Sequence, residues 1–125
     1  MASKTIARLI LVALLGLLPW SGAQAFWNNP AWQKIASAHI AGLPLEVRQT
    51  LVRIRQGGPF PYARDGIVFH NRENRLPPEP RGYYREYTVP TPGIRGRGAR
   101  RLISGRSGEF YYSPDHYHTF WRVQE

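Results

Sequence analysis

Cysteine is absent from the 125-residue sequence. This absence excludes a disulfide scaffold, a thiol nucleophile and a cysteine-ligated zinc or iron–sulfur site. Acidic residues are also scarce, since 8 Asp and Glu stand against 17 Lys and Arg, which gives a net charge of +9. The 12 glycines and 11 prolines are too few for a collagen-like chain, and an aromatic content of 13% argues against disorder. These counts are typical of one small, basic, aromatic-rich domain.

A long hydrophobic run is missing as well. The apolar stretch at residues 9–18 is roughly half of the about 20 residues that a transmembrane helix needs. It follows the positive charges of Lys4 and Arg8 and precedes a small–x–small pattern that ends at Ala25. We therefore predict that residues 1–25 are a cleaved signal peptide, which would make the mature protein secreted or periplasmic and leave no stable membrane anchor. The alternative is an uncleaved N-terminal anchor.

The basic residues of the mature chain are almost all arginine. Removal of residues 1–25 leaves 15 basic residues, 14 of them arginine, against 8 acidic residues, for a net charge of +7. The planar guanidinium group matches the oxygens of a phosphate, whereas lysine acts as a point charge. A high-GC genome would explain this composition but not the clustering of the arginines along the chain.

The periodicity of apolar residues predicts an α+β fold. Val47, Leu51 and Ile54 recur at helical spacing, so a helix is expected over residues 44–56. The lead-in segment, residues 26–42, has a weaker pattern in which a short helix would carry Trp32, Ile35 and Ile40. Strands are predicted at residues 67–69, 83–89, 99–104, 110–113 and 118–123. The expected architecture is one main N-terminal helix packed on a twisted antiparallel β-sheet.

Two clusters of charged residues stand out in the predicted strands and loops. Glu86 lies in mid-strand and is interpreted either as a functional carboxylate or as a solvent-facing residue paired with an arginine. The densest basic cluster alternates with glycines and is interpreted either as a phosphate site or as a solvated loop. It consists of Arg95, Arg97, Arg100 and Arg101.

Histidine supplies a third candidate group. Asp115, His116 and His118 offer at most three metal ligands and nothing nearby supplies a fourth, so we expect no metal site. One of the two histidines is instead expected to act as an acid or a base. A carboxylate, a set of arginines and a histidine suffice for metal-free phosphodiester transesterification, because RNA supplies its own 2′-OH nucleophile and DNA does not.

Several ordered motifs carry a resemblance to a known family. The sequence closely resembles the bacterial guanyl-specific ribonucleases, of the ribonuclease Sa and barnase type, over residues 43–123. The matching blocks are residues 57–62, 65–69, 70–73, 84–89, 91–93, 97–101 and 111–117. The resemblance implies the microbial ribonuclease fold, with the ribonuclease domain at residues 43–125.

The resemblance also implies roles for the candidate catalytic residues. Glu86 stands at the position of the family's general base and His116 at that of its general acid. Arg97 and Arg101 match its phosphate-binding arginines. Tyr117 matches a tyrosine that helps to hold the phosphate and the substrate.

A second set of residues matches the family's guanine-binding loop. The Glu73 carboxylate would accept hydrogen bonds from N1–H and N2–H₂ of guanine, and backbone N–H groups near Asn71 and Arg72 would donate to O6. Phe69 would form the floor of this pocket. His70 replaces the Gln or Ser of relatives, at a position that contributes mostly backbone. Because adenine would leave the carboxylate unpaired, guanine is expected to be preferred.

The resemblance implies an exported enzyme that cleaves single-stranded RNA 3′ to guanosine through a 2′,3′-cyclic phosphate. No cofactor or metal is expected, the protein is expected to be a monomer, and a barstar-like acidic inhibitor is an expected partner. The disulfide by which some relatives tie the N-terminal segment to the C-terminus is excluded here by the lack of cysteine. The alternative function is a non-catalytic cationic protein that binds nucleic acid or membranes.

Overall fold

A six-stranded sheet organises the chain, with the strand order β1-β6-β5-β4-β3-β2. The computed structural model describes residues 29–125, so the predicted signal peptide lies outside the described residues. One helix, α1 (Leu45–Gln56), precedes most of the sheet. The strands are β1 (Ala36–His39), β2 (Ile67–Phe69), β3 (Tyr84–Thr88), β4 (Arg101–Gly105), β5 (Phe110–Ser113) and β6 (Trp121–Gln124). The expected α+β architecture, one main helix on a twisted sheet, is confirmed.

The sheet is mixed rather than purely antiparallel, because β1 runs parallel to β6. All other neighbouring strands pair antiparallel. The short helix predicted to carry Trp32, Ile35 and Ile40 is wrong: a 3-10 turn, β1 and a second 3-10 turn stand in its place. A short helix alone is marginally stable, whereas pairing with β6 satisfies the backbone groups of β1. The compact unit that contains the sheet spans Ala31–Glu125.

Helix α1 forms because its apolar residues fall on one face. Val47 and Leu51 are buried and pack against Val89 and Leu102 of the sheet. The helix ends at Gly57, whose φ of 78° is left-handed and whose N–H donates to the carbonyl of Ile54. A residue with a Cβ would be strained in this conformation, which explains the glycine. None of the helices within residues 29–125 is long and apolar enough to cross a membrane.

Strand alternation gives the sheet a core on each face. On β4, Leu102 points towards α1, and the next residue, Ile103, points away from it. Glu86 pairs across the strands with Ile103 and so lies on the face opposite the helix. The core on that face consists of Leu76, Tyr84, Ile103, Tyr111 and Phe120. The helix therefore supports the sheet from behind while the other face stays available for a site.

The loop between β5 and β6 is organised by the carboxylate of Asp115. Its oxygens accept hydrogen bonds from the Ser113 hydroxyl at 3.1 Å and from the backbone N–H and hydroxyl of Thr119, both at 2.8 Å. Partial burial alone would raise the pKa of Asp115, but these hydrogen bonds hold the pKa below its ordinary value. The loop conformation thus depends on an ionised Asp115.

Removal of a central side chain should destabilise the fold. Leu102 is 0% exposed between the helix and the sheet. We expect Leu102→Ala to lower the free energy of unfolding by about 2–5 kcal/mol, because it removes buried methyl groups and leaves a cavity. Val52→Ala, on the exposed side of α1, should change it by less than about 0.5 kcal/mol. Urea unfolding of the two variants measures both; equal effects would contradict the assigned core.

A pH dependence of stability is expected from Asp115. A carboxyl whose folded pKa is depressed stabilises the protein above its unfolded pKa of about 3.9, and this stabilisation is lost as the pH falls through the folded value. Asp115→Asn should therefore lower the free energy of unfolding at pH 7 by about 1–2 kcal/mol. The difference from the wild type should shrink below about pH 4. A difference that stays constant from pH 7 to pH 3 would contradict this account.

Candidate active site

A cleft of about 450 Å³ opens on the sheet face that α1 does not cover. It brings most of the predicted site residues together from three parts of the chain: strand β3, the loop after β2 and the loop before β6. The lining consists of Arg64, Ile67, Val68, Phe69, His70, Asn71, Arg72, Glu73, Arg75, Glu86, Tyr117 and Phe120. Of the remaining predicted residues, Arg97 contacts Glu86, and both Arg101 and His116 contact Tyr117.

Glu86 is a buried carboxylate and not a solvent-facing one. It is 7% exposed in mid-strand, and its Oε1 lies 3.3 Å from a terminal nitrogen of Arg97. Burial of an unpaired carboxylate would be strongly unfavourable, so the ion pair is required to keep the charge there. The arginine is therefore part of the site and not a surface counterion.

Arg97 is held in place by a second contact. Its Nε donates to the Thr88 hydroxyl at 2.9 Å, on the same strand face as Glu86. The loop that carries it closes tightly at Gly98, where a Cβ would lie 2.6 Å from Cδ1 of Ile94. Gly98 also has a φ of 64°, a conformation that favours glycine. The glycines of the basic cluster thus shape the loop that aims Arg97 at the cleft.

Arg101 is a buried cation whose Nε has no hydrogen-bond partner within the described chain. The residue is 3% exposed, and one terminal nitrogen donates to the carbonyls of Gly98 and Arg100. Its guanidinium lies 5.9 Å from the centre of the Tyr117 ring. A desolvated guanidinium held in a fixed position is well suited to attract an anion.

The basic cluster divides between the two faces of the sheet. Arg95 is exposed, and Arg100 is half-buried near Tyr112, on the face that carries α1. Of the four arginines predicted as one cluster, Arg97 and Arg101 are the pair that reaches the site. The prediction of a phosphate site therefore applies to these two residues.

His116 and Tyr117 have left-handed backbones, with φ values of 55° and 74°. This conformation is unfavourable for residues with a Cβ and occurs mostly where a structure holds it for function. Here the N–H of His116 donates to the Ala99 carbonyl at 2.8 Å, and that of Tyr117 donates to the Ser113 hydroxyl at 2.9 Å. The loop thus presents the exposed His116 ring 4.9 Å from the ring of Tyr117.

Tyr117 lies between the acidic and the basic groups of the site. Burial raises the pKa of the Tyr117 phenol to about 12; the neighbouring Glu86 carboxylate adds to this shift, and Arg101 opposes it. The phenol therefore keeps its proton at neutral pH and can donate a hydrogen bond. Its ring also stacks on Phe69, with centres 5.0 Å apart and planes 30° apart.

The loop after β2 presents backbone donors to the cleft. Asn71 has a left-handed φ of 51°, and its side-chain amide bonds both the carbonyl and the N–H of Leu76, at 2.8 and 3.0 Å. The N–H groups of Asn71, Arg72 and Glu73 donate to no acceptor within residues 29–125. The Asn71 side chain therefore fixes the loop, and the three consecutive backbone N–H groups that end at Glu73 remain available as donors.

His118 and Asp115 form hydrogen bonds within the loop before β6. A ring nitrogen of His118 lies 2.7 Å from the backbone oxygen of Asp115, whose carboxylate is bonded to Ser113 and Thr119. No group of three metal-ligating His, Cys, Asp or Glu side chains occurs within the part of the chain that the structure describes.

Sequence reasoning missed three residues that shape the site. Arg64 and Arg75 line the cleft, and Thr88 orients Arg97. Alternation along β3 places Thr88 beside Glu86 and was an available signal for it. The sequence does not mark Arg64 and Arg75 as site residues. In a chain with so many arginines, only their contacts in the structure distinguish them from the others.

Comparisons with known proteins agree with this geometry. A family model for ribonuclease matches residues 31–124. The guanyl-specific ribonuclease Sa of Kitasatospora aureofaciens is 55% identical over 87 residues, which cover 69% of this chain and 91% of that protein. Ribonuclease Sa3 of the same organism is 55% identical over 84 residues, but the match spans only 60% of its length and 66% of this chain.

A solved structure gives the same result. Ribonuclease Sa2 with guanosine-2′-cyclophosphate matches with a TM-score of 0.69 and 50% sequence identity, and the match covers 72% of this chain and 97% of that one. The resemblance noted from the sequence is therefore confirmed at the level of sequence and of fold. This chain belongs to the ribonuclease family.

Proposed function

We propose that this protein is a guanyl-specific endoribonuclease that cleaves single-stranded RNA 3′ to guanosine by metal-free transesterification. The observation that carries the proposal is the buried Glu86 carboxylate held beside Arg97, with the buried Arg101 on the neighbouring strand. Ribonucleases Sa and Sa3 are guanyl-specific, and Sa2 has been solved with a guanosine cyclic phosphate. A polycation that acts by charge alone would need no buried carboxylate in its cleft.

In the first step Glu86 is the general base and His116 the general acid. The Glu86 carboxylate takes the proton of the 2′-OH, and the 2′-oxygen attacks phosphorus. The bond from phosphorus to the 5′-oxygen breaks, and His116 gives its proton to that oxygen. The product is a 2′,3′-cyclic phosphate, which water opens to a 3′-phosphate by the same two groups in reversed roles. The exposed position of His116 allows the leaving chain to depart into solvent.

Arg97, Arg101 and Tyr117 stabilise the charge that develops on the phosphate oxygens. Arg101 is desolvated and held by the carbonyls of Gly98 and Arg100 before RNA binds, so its guanidinium needs little rearrangement to stabilise the charge of a phosphorane. Arg97 connects this phosphate site to the general base, since it already contacts Glu86. The protonated Tyr117 phenol donates a third hydrogen bond.

Guanine is read by the loop of residues 70–73. The Glu73 carboxylate accepts from N1–H and N2–H₂, and the free N–H groups of Asn71 and Arg72 donate to O6. Phe69, stacked on Tyr117, supports the base from below. Adenine lacks this donor pair, so the wrong base leaves the carboxylate unpaired at a cost of about 1–3 kcal/mol.

Export and partners complete the proposal. The pattern of residues 1–25 supports passage across the inner membrane to a secreted or periplasmic location. The net charge of +7 calculated for residues 26–125 supports attraction to RNA and to a barstar-like acidic inhibitor in the producing cell. The proposed working unit is a monomer, since all the site residues come from one chain.

Cleavage of a dinucleotide panel by residues 26–125, with EDTA present, tests substrate and specificity together. We expect GpA to be cleaved and ApA, CpA and UpA to be cleaved far more slowly. Glu73→Gln should reduce kcat/KM for GpA by about 10- to 100-fold, because an amide cannot accept from both guanine donors. Equal cleavage of all four would contradict guanine recognition. No cleavage by folded protein would favour the cationic binder instead.

Variants of the acid and the base test the mechanism. Glu86→Gln and His116→Ala should each lower kcat on GpA by about 10²–10⁴-fold. The wild-type rate should be bell-shaped in pH, because Glu86 must be ionised and His116 protonated, and the alkaline limb should disappear in His116→Ala. His39→Ala, on the opposite edge of the sheet, is the matched control and should keep the wild-type profile. Losses below tenfold in both site variants would rule out this mechanism.

A further inference from the structure

Arg75 joins two walls of the cleft through a single nitrogen. Its Nη1 forms an ion pair with Oε2 of Glu73. The same nitrogen donates to the backbone carbonyl of Tyr117 at 2.8 Å, although the two residues are 42 positions apart. The guanidinium thus connects the carboxylate proposed to read guanine with the segment that follows the proposed acid.

The two partners differ in how firmly they are held. The side chain of Glu73 is 66% exposed and has no other hydrogen bond or ion pair within residues 29–125, whereas that of Arg75 is 33% exposed. The next residue, Leu76, is fully buried, and both its backbone groups are bonded by Asn71. Arg75 therefore projects from a fixed point of the backbone, and the Glu73 carboxylate has no other polar partner within residues 29–125 to fix it.

The ion pair leaves the carboxylate able to bind a base. An ionised carboxylate has two oxygens with about four acceptor positions. Arg75 occupies one position on Oε2, so each oxygen can still accept one hydrogen bond from the N1–H and N2–H₂ edge of guanine. An ordered carboxylate loses less conformational freedom when the base binds than a freely rotating one does.

We propose that Arg75 is a positioning residue that orients the Glu73 carboxylate for guanine. It acts through Glu73 and does not touch the base. Its contact with the Tyr117 backbone ties the base-reading loop to the residue whose ring stacks on Phe69, the proposed floor for the base. This inference rests on the proposed guanine specificity and adds a determinant to it.

Steady-state kinetics on GpA and ApA with Arg75→Met, Arg75→Lys and Arg48→Met test the proposal. Arg75→Met keeps an apolar stem but loses both contacts, so KM for GpA should rise about tenfold while kcat stays within about twofold. Cleavage of ApA should fall only slightly, through the lost positive charge, so the preference for guanine falls about tenfold. Arg75→Lys should retain most of the preference, because one ammonium can make both contacts that Nη1 makes.

Arg48→Met is the matched control for charge. Arg48 is exposed on α1, on the other face of the sheet, and its side chain has no hydrogen bond or ion pair within the described residues. Its loss should lower cleavage of GpA and ApA equally and slightly, through weaker attraction to RNA. Thermal unfolding of each variant confirms that it is folded, and Arg75→Gln replaces Arg75→Met if the latter does not fold.

The outcomes distinguish the proposed guanine specificity from the proposed positioning role of Arg75. A wild-type enzyme without guanine preference would overturn both. A guanine-specific wild type whose Arg75→Met variant keeps its preference, or binds GpA more tightly because Arg75 competes with the base, would overturn the positioning role alone. In a Glu73→Gln background, Arg75→Met should cause no further loss of preference; an additional tenfold loss would also overturn it.

Discussion

The arrangement of the rest of the site depends on the burial of the Glu86 carboxylate on β3. A carboxylate that is 7% exposed keeps its charge only if a cation is fixed beside it. Arg97 supplies that cation, but it needs Thr88 to hold its Nε and Gly98 to close its loop. The helix and its core, on the other face of the sheet, keep these strands in register. The chemistry of the cleft thus depends on the packing behind it.

Strained backbone marks both walls of the cleft. Asn71, His116 and Tyr117 all adopt left-handed φ values, and each is held there by hydrogen bonds. Such strain is tolerated where surrounding contacts over-determine the conformation. Asp115 and Ser113 provide these contacts for the loop before β6, which links the ionisation of one aspartate to the placement of the proposed acid.

A chain without cysteine has to connect its ends by non-covalent contacts. The parallel pairing of β1 with β6 joins the N-terminal segment to the C-terminal strand through four residue pairs. Arg55 of α1 and Glu125 form an additional ion pair, but both side chains are about half exposed, so the pair contributes little. The backbone ladder therefore connects the two ends more firmly than this ion pair does.

Much of the fold and the site followed from the sequence alone. Helical spacing located α1, the strand pattern placed Glu86 in mid-strand, and the ordered motifs identified the family, because these are local properties of the chain. The tertiary structure decided the rest: that residues 36–39 pair with β6, that Arg97 and Arg101 but not Arg95 and Arg100 reach the cleft, and that Arg75 meets Glu73 and Tyr117. The physical reason is that these contacts join residues far apart in the chain. The residues next to an arginine in the sequence do not determine which carboxylate, carbonyl or phosphate it will contact.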